Sequence, residues 1–547
     1  MPRLRPHLRG WALFAVAVAV VITIPLVAVV AHVFAPSDGA WDHLARTVLP
    51  GYVGNTVLLA LGVGTGTLLV GTGTAWLVTM HRFPGRRVFE WALLLPLAAP
   101  GYVMAYAYAD FLQFVGPVQT WLRASFGWSR GDYWFPEIRS LGGAVFVLTM
   151  ASYPYVYLLA RSAFLAQSVC VLEVSRTLGC GPWRMFFRVA LPLARPALVA
   201  GVTLVLMETL AEFGTVQHFG VDTFTTGIYR TWFALGTPVA AAQLSALLVG
   251  VVLLLLLAER WTRGDARFHH TTPRYRHMPV RPLSALAGVG GFVACLLPIA
   301  AGFLVPGGVL LHMAVEGGDP LLGRQFLGFA WNSLLLGGMA AAIVVTMALL
   351  LAYAARLTPE PLVTGAVRIA TLGYAMPGAV VAVGILIAFG GLDAALDGWM
   401  RRSFGVSTGL LFSGTAVALL FAYLVRFLAV AFNAAESSLA KVTPHIDQAS
   451  RVLGQGPRGT LWRVHLPMLK GGLLTAALLV FVDVMKELPA TLIVRPFDFD
   501  TLAIRAYRLA SDERLAESST ASLAIVLAGI LPVVLLSRAI GRARPGS

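Results

Sequence analysis

The chain has 547 residues, 58% of them hydrophobic and 12% charged, where soluble domains carry roughly 25% charged residues. A water-soluble globule of that composition would expose a very large apolar surface, so the composition excludes one. The net charge of +15 gathers in alternate short loops, the positive-inside pattern of a membrane protein, and implies no nucleic acid. Cys170, Cys180 and Cys295 form no CxxC and no disulfide framework, and reduced thiols are expected.

Uncharged runs longer than about 18 residues read as transmembrane helices. Arg3, Arg5 and Arg9 precede an apolar run from Trp11 to Val33. That run is too long for the apolar part of a signal peptide, about 7–15 residues, so it reads as an uncleaved first helix with a cytoplasmic N-terminus. Further spans are expected near 53–80, 91–114, 141–160, 196–213 and 238–258. A basic turn (His81, Arg82, Arg86, Arg87) follows the second, and an aromatic outer loop (Trp121, Trp128, Tyr133, Trp134) follows the third. Those aromatics read as interfacial anchors. Gly62, Gly64, Gly66, Gly71 and Gly73 read as small residues for close helix packing, not as a phosphate loop, because no Lys follows.

The segment 259–282 is strongly basic and reads as a cytoplasmic linker between a first repeat (1–258) and a second (283–547). His269, His270 and His277 lie in it without carboxylates at ligand spacing, so they read as solvated. The second half repeats the plan, with spans near 283–311, 328–355, 366–391, 408–430, 472–488 and 519–537. The expected fold is an all-α polytopic membrane protein of about 12 helices in two parallel six-helix repeats, with a pathway between them. Twelve spans place both termini, the linker and both polar islands on one basic, cytoplasmic side.

Those islands carry the strongest internal signal. Glu173–Pro192 reads EVSRTLGCGPWRMFFRVALP and Gln448–Pro467 reads QASRVLGQGPRGTLWRVHLP, at an offset of 275 with ten of twenty positions identical. Self-similarity at a fixed period marks duplicated architecture. Asn55-Thr56 with Asn332-Ser333, and Pro100-Gly101 with Pro377-Gly378, repeat at 277. Within the second island, Thr443-Pro444 reads as a helix start with Asp447 in its first turn. Gly454 to Pro457 ends that helix, and a second short helix carries Trp462, Arg463 and Val464 to Leu466-Pro467. Two short helices with apolar knobs and cations suit docking to a partner; the competing reading is an ordinary interfacial loop.

The pattern resembles the EAA loop of ATP-binding-cassette importer permeases: an acid, two small residues, a glycine, then a hydrophobic-Pro pair thirteen residues on. Glu173, Ser175, Arg176, Gly179 and Pro192 fit it, as do Ser450, Arg451, Gly454 and Pro467, while Gln448 replaces the acid. The resemblance spans nearly the whole chain, as a fused double permease. It implies docking on ATPase subunits, two copies of them, with ATP and Mg bound on those partners and no cofactor in this chain. It also implies a bacterial inner-membrane location.

After each island comes a pair of acids, Glu208 and Glu212, then Asp483 and Glu487, again 275 apart. Carboxylates at i and i+4 share one helix face, and at membrane depth they face a cavity or a partner. They can line a cation path, since hard cations favour oxygen ligands; alternatively Lys486 or a nearby Arg pairs with them. The stretches Glu208–Trp232 and Asp483–Leu515 resemble ferric-iron permeases, which implies a periplasmic binding protein delivering Fe³⁺. The acids alone suit thiamine or a polyamine equally well, phosphonate remains a further cargo, and a proton-coupled secondary transporter is a second reading.

Overall fold

The computed structural model describes residues 6–37, 39–167, 177, 181–263, 281–321 and 323–542. Eleven helices in them are long and apolar enough to cross a membrane, or twelve if one sharply bent pair counts as a span. In chain order the helices that matter here are α1 (Pro6–Ala31), α2 (Leu49–Met80), α3 (Gly101–Leu112), α4 (Leu141–Ala166), α5 (Leu191–Ala211), α6 (Gly214–His218) and α7 (Pro238–Arg263). They are followed by α8 (Ala285–Ile299), α9 (Val305–Gly317), α10 (Arg324–Leu357), α11 (Gly378–Phe404), α12 (Ala416–Ala440) and α13 (Pro444–Val452). The last three are α14 (Leu466–Met485), α15 (Pro489–Val494) and α16 (Leu515–Arg542). Among the described residues the β-structure is one parallel pair of two-residue strands, His81–Arg82 with Arg281–Pro282.

Two of the expected spans differ from a plain helix. The one expected at 91–114 is broken: Arg86–Ala98 and Gly101–Phe126 meet at 90°. Pro100 lacks the N–H that a continuing helix needs, and Ala99 before it is extended (φ −101°, ψ 114°). The stretch expected at 366–391 breaks at the matching place. Pro361–Ala370 and a 3₁₀ turn at Thr371–Ala375 precede α11, which starts after Pro377.

The short second helix expected to stop at Leu466-Pro467 instead runs on into the membrane. Pro457–Met485 is one apolar span, and a π turn at Leu461–His465 absorbs the proline, with the Leu466 N–H bonding Leu461 O. The first half does the same at Phe186–Ala190 before Pro192. A widened turn lets a helix pass a residue that can neither donate nor fit a normal turn.

The chain divides into two compact units that cut across the sequence halves. One holds Met1–Ala45, Gly227–Val249 and Leu321–Arg505; the other holds Arg46–Thr226, Gly250–Pro320 and Ala506–Ser547. In the first unit α10, α12 and α14 pack on one another and α1 lies along α11. Lipid gives apolar helices no hydrophobic reason to choose a neighbour, so close backbone approach decides. A Cβ on Gly384 of α11 would stand 2.3 Å from the Pro25 carbonyl oxygen of α1. In the second unit α2 packs on α4 through the glycine stripe: a Cβ at Gly62, Gly66 or Gly71 would fall within 2.9 Å of Val145, Thr149 or the Tyr157 backbone respectively.

Candidate functional site

Of the first island, Glu173, Ser175, Arg176 and Gly179 lie outside the described residues, as do Cys170, Cys180 and the linker histidines. Pro192 is exposed in the first turn of α5. The second island is described throughout. Thr443 occupies the N-cap position of α13 with Pro444 following, although its hydroxyl makes no capping bond. Gly454 takes a left-handed φ of +78° just past the helix end, a conformation that favours glycine. The buried Ser450 hydroxyl meets that of Thr460 at 2.8 Å, joining the two arms of the island.

Asp447 turns inward. Its carboxylate takes two bonds from Arg356, at 3.0 and 2.8 Å, and faces His465 Nε2 at 2.7 Å. Arg356 also donates to the Leu439 and Val442 carbonyls, and the Tyr353 hydroxyl donates to Pro457 O at 2.8 Å. The end of α10 thereby clasps both arms. What remains outward is Gln448, Arg451, Gly454, Pro467 and an apolar pair, Val452 (87% exposed) and Leu453 (79% exposed). In the first half the matching contact is aromatic, with Trp76 packed 4.9 Å from Phe186 and 5.4 Å from Phe164.

The acids after the islands divide by environment. Glu487 is buried and closes the N-terminus of α15, accepting from Ala490 N at 3.1 Å, Thr491 N at 2.9 Å and Thr491 Oγ1 at 2.7 Å. It also forms an ion pair with Arg426 of α12. Asp483 pairs with Lys486 at 2.8 Å. Glu208 is half-buried. Glu212 is half-buried and accepts from Thr215 N at 2.8 Å, closing α6 as Glu487 closes α15. Glu212 lies in the electrostatic neighbourhood of Tyr106, together with Tyr102 and Tyr507.

The repeated Pro-Gly motifs meet these same acids. A Cβ on Gly101 would sit 3.1 Å from Thr215 Oγ1 and 3.6 Å from Glu212 Oε2. One on Gly378 would sit 2.4 Å from Arg426 Nη1 and 2.8 Å from Glu487 Oε1. The Asn pairs recur too: Asn55 donates to Asp222 O at 2.9 Å, and Asn332 to Asp500 O at 3.0 Å. Among the described residues no three His, Cys, Asp or Glu side chains converge to hold a metal ion. The sequence reading singled out neither Arg356, Arg426, Tyr106, His218 nor His465. A charge within an apolar run, as at Arg426, was the available signal, since such a charge requires a partner.

The many apolar crossing helices, with segments broken at Pro-Gly, define a multi-pass membrane protein. Residues 67–263 match the family described as the binding-protein-dependent transport system inner membrane component. The chain is 28% identical over 506 residues to the Fe(3+)-transport system permease protein FbpB 2 of Haemophilus influenzae, covering 91% of each. It is 24% identical to the ferric transport system permease protein FbpB of Actinobacillus pleuropneumoniae, over 94% of this chain and 75% of that one. The molybdenum transport system permease protein ModB of Escherichia coli aligns at 29% identity over 39% of this chain and 93% of its own length. These relatives are transport permeases, not enzymes.

Proposed function

We propose that this permease is the membrane subunit of an ATP-driven importer that moves ferric iron, by alternating access, from a periplasmic binding protein to the cytoplasm. The similarity to two ferric permeases over nine-tenths of the chain carries the cargo reading. On this reading the chain is a fused double permease of the bacterial inner membrane. Repeats 1–258 and 283–547 are joined by the basic segment 259–282, with both termini cytoplasmic. A relative that aligns almost whole with 39% of this chain supports that architecture, as do the hydrogen bonds and π turns that recur in both halves at nearly the same offset.

The two islands dock two ATPase subunits, which hold ATP and Mg; this chain carries no cofactor of its own. Glu173, Ser175, Arg176, Gly179 and Pro192 form one contact, and Gln448, Arg451, Gly454 and Pro467 form the other; Ser450, expected at that contact, is buried and braces the island from inside through Thr460. The exposed Val452-Leu453 pair supplies the apolar knob of the second, with Arg451 beside it. Glu208, Glu212, Asp483 and Glu487 are the acids assigned to the path; of these Asp483 pairs with Lys486 and Glu487 with Arg426, which makes Glu487 first of all a structural acid.

The test is reconstitution in proteoliposomes with the ATPase and an iron-loaded binding protein. ATP-dependent accumulation of radioactive iron is expected, abolished by Val452→Asp with Leu453→Asp while the permease stays folded. Uptake that ignores ATP and collapses with the proton gradient would instead make this a secondary carrier.

A further inference from the structure

The helix α10 is bonded at both of its ends to segments far away in the chain. At the end nearer the island the Arg356 guanidinium makes four bonds. Two go to the Asp447 carboxylate at 3.0 and 2.8 Å, one to Leu439 O at 2.6 Å and one to Val442 O at 2.7 Å. The two carbonyls lie at and just past the end of α12, where a helix leaves its last acceptors unpaired. Asp447 sits in the first turn of α13. One planar fork therefore joins α10, α12 and the second island, a geometry that the point charge of a lysine does not reproduce. The side chains of Arg356 and Asp447 are only 20% and 21% exposed, so water competes weakly for the pair.

At the opposite end, Asn332 donates to Asp500 O at 3.0 Å and Ser333 Oγ accepts from Leu502 N at 2.8 Å. The helix from Asn332 to Arg356 contains no proline and runs about 36 Å, more than the roughly 30 Å of hydrocarbon. A continuous helix carries a displacement along its axis, where a loop would absorb it. The first half keeps the ties at the far end. Asn55 donates to Asp222 O at 2.9 Å, and Thr56 Oγ1 accepts from Phe224 N at 3.4 Å. It lacks the residues of the clasp: at the offsets of the repeat, Thr79 stands for Arg356, Leu172 for Asp447 and Ala190 for His465.

We propose that Arg356 is a positioning residue for transport. It fixes the second island to α10, so that a displacement of that island reaches the segment Asp500–Leu502 at the other end of the helix. The first half has no side chains to build the same route, and the two islands are therefore unequal in what they move. The inference rests on the importer reading above and adds the path by which one docking contact acts.

The experiment assembles the permease with its ATPase in proteoliposomes. ATP hydrolysis and uptake of radioactive iron are measured with and without the iron-loaded binding protein. Arg356→Gln is expected to hold basal hydrolysis within about twofold of wild type, while stimulated hydrolysis and uptake fall at least tenfold. Asn332→Ala with Ser333→Ala cuts the far tie and should give the same split. Combining it with Arg356→Gln should add no further loss, because one connection is broken either way. Asn55→Ala with Thr56→Ala is the control, and its loss should multiply with that of Arg356→Gln. Asp447→Asn, which keeps the shape of the clasp, takes the place of Arg356→Gln in the cycle if that variant does not fold. Stimulated hydrolysis and uptake that survive both clasp variants overturn the inference and leave the importer reading standing. Losses that multiply between the clasp and the Asn332–Ser333 tie overturn it too, since they mark two independent weakenings. A wild-type complex that neither responds to the binding protein nor imports iron removes both.

Discussion

The buried Arg426–Glu487 pair predicts a characteristic mutational behaviour. The side chain of Glu487 is 1% exposed and that of Arg426 12%, so neither charge is solvated. Glu487→Gln removes the carboxylate that the buried guanidinium pairs with, and Arg426→Met leaves the carboxylate with its three donors at the start of α15 and without its cation. Breaking a buried pair from one side costs about 3–5 kcal/mol. At about 2–4 °C per kcal/mol for a unit of 150–250 residues, each single variant should unfold on the order of 10 °C lower. The double variant removes both charges, and replacing a whole buried pair by neutral groups is often neutral or stabilising. It should therefore recover much of the loss, a strong positive coupling in a double-mutant cycle. The assay is thermal unfolding of the purified permease in one detergent at one scan rate. Single variants as stable as wild type, or a double variant whose loss is the sum of the singles, would refute the account of Glu487 as a structural acid.

Asp447→Asn should loosen the second island: losing the charge on two Arg356 bonds costs about 1.5–3 kcal/mol, and amide exchange across α13 should accelerate while the core of α10 stays protected. Unchanged exchange there would mean the clasp does not hold the island. A pH effect is expected at the Arg139–Glu513 contact, two bonds of 2.7 Å each. The Arg139 guanidinium holds the Glu513 carboxyl below its usual range. A depressed carboxylate contributes stability above its unfolded value, roughly 4.3, and loses it as pH falls through the folded value. Local exchange near residues 139 and 513 should therefore rise on acidification towards pH 4, and Arg139→Gln should abolish that dependence. Equal pH dependence in the variant would rule the contact out as its source.

Span positions and the second island were legible because they are written in local chemistry: apolar runs, a Thr-Pro start, a glycine at the helix end. Partner choice was not. Asp447 looks in sequence like a carboxylate serving the helix dipole, and its real partners stand 91 and 18 residues away. Glu487 looks in sequence like a path-lining acid, and its partner Arg426 stands 61 residues upstream. The prolines of the islands marked a discontinuity correctly. A π turn, though, costs the helix one register step and not its continuity, and no residue pattern in the single sequence distinguishes the two outcomes.

The seating of α1 has a consequence in time. Its unit holds Gly227–Val249 as well as Leu321–Arg505, and Gln243 donates to the Val33 and Ala35 carbonyls just past its end, so one of its contacts is made within the first half of synthesis. The long contact with α11 comes much later: at about 5–20 residues per second, the roughly 350 residues between α1 and α11 take on the order of 20–70 s to synthesise. Through that interval the face of α1 that receives Gly384 is left to lipid, and a ribosome that stops after the first half leaves that face unfilled.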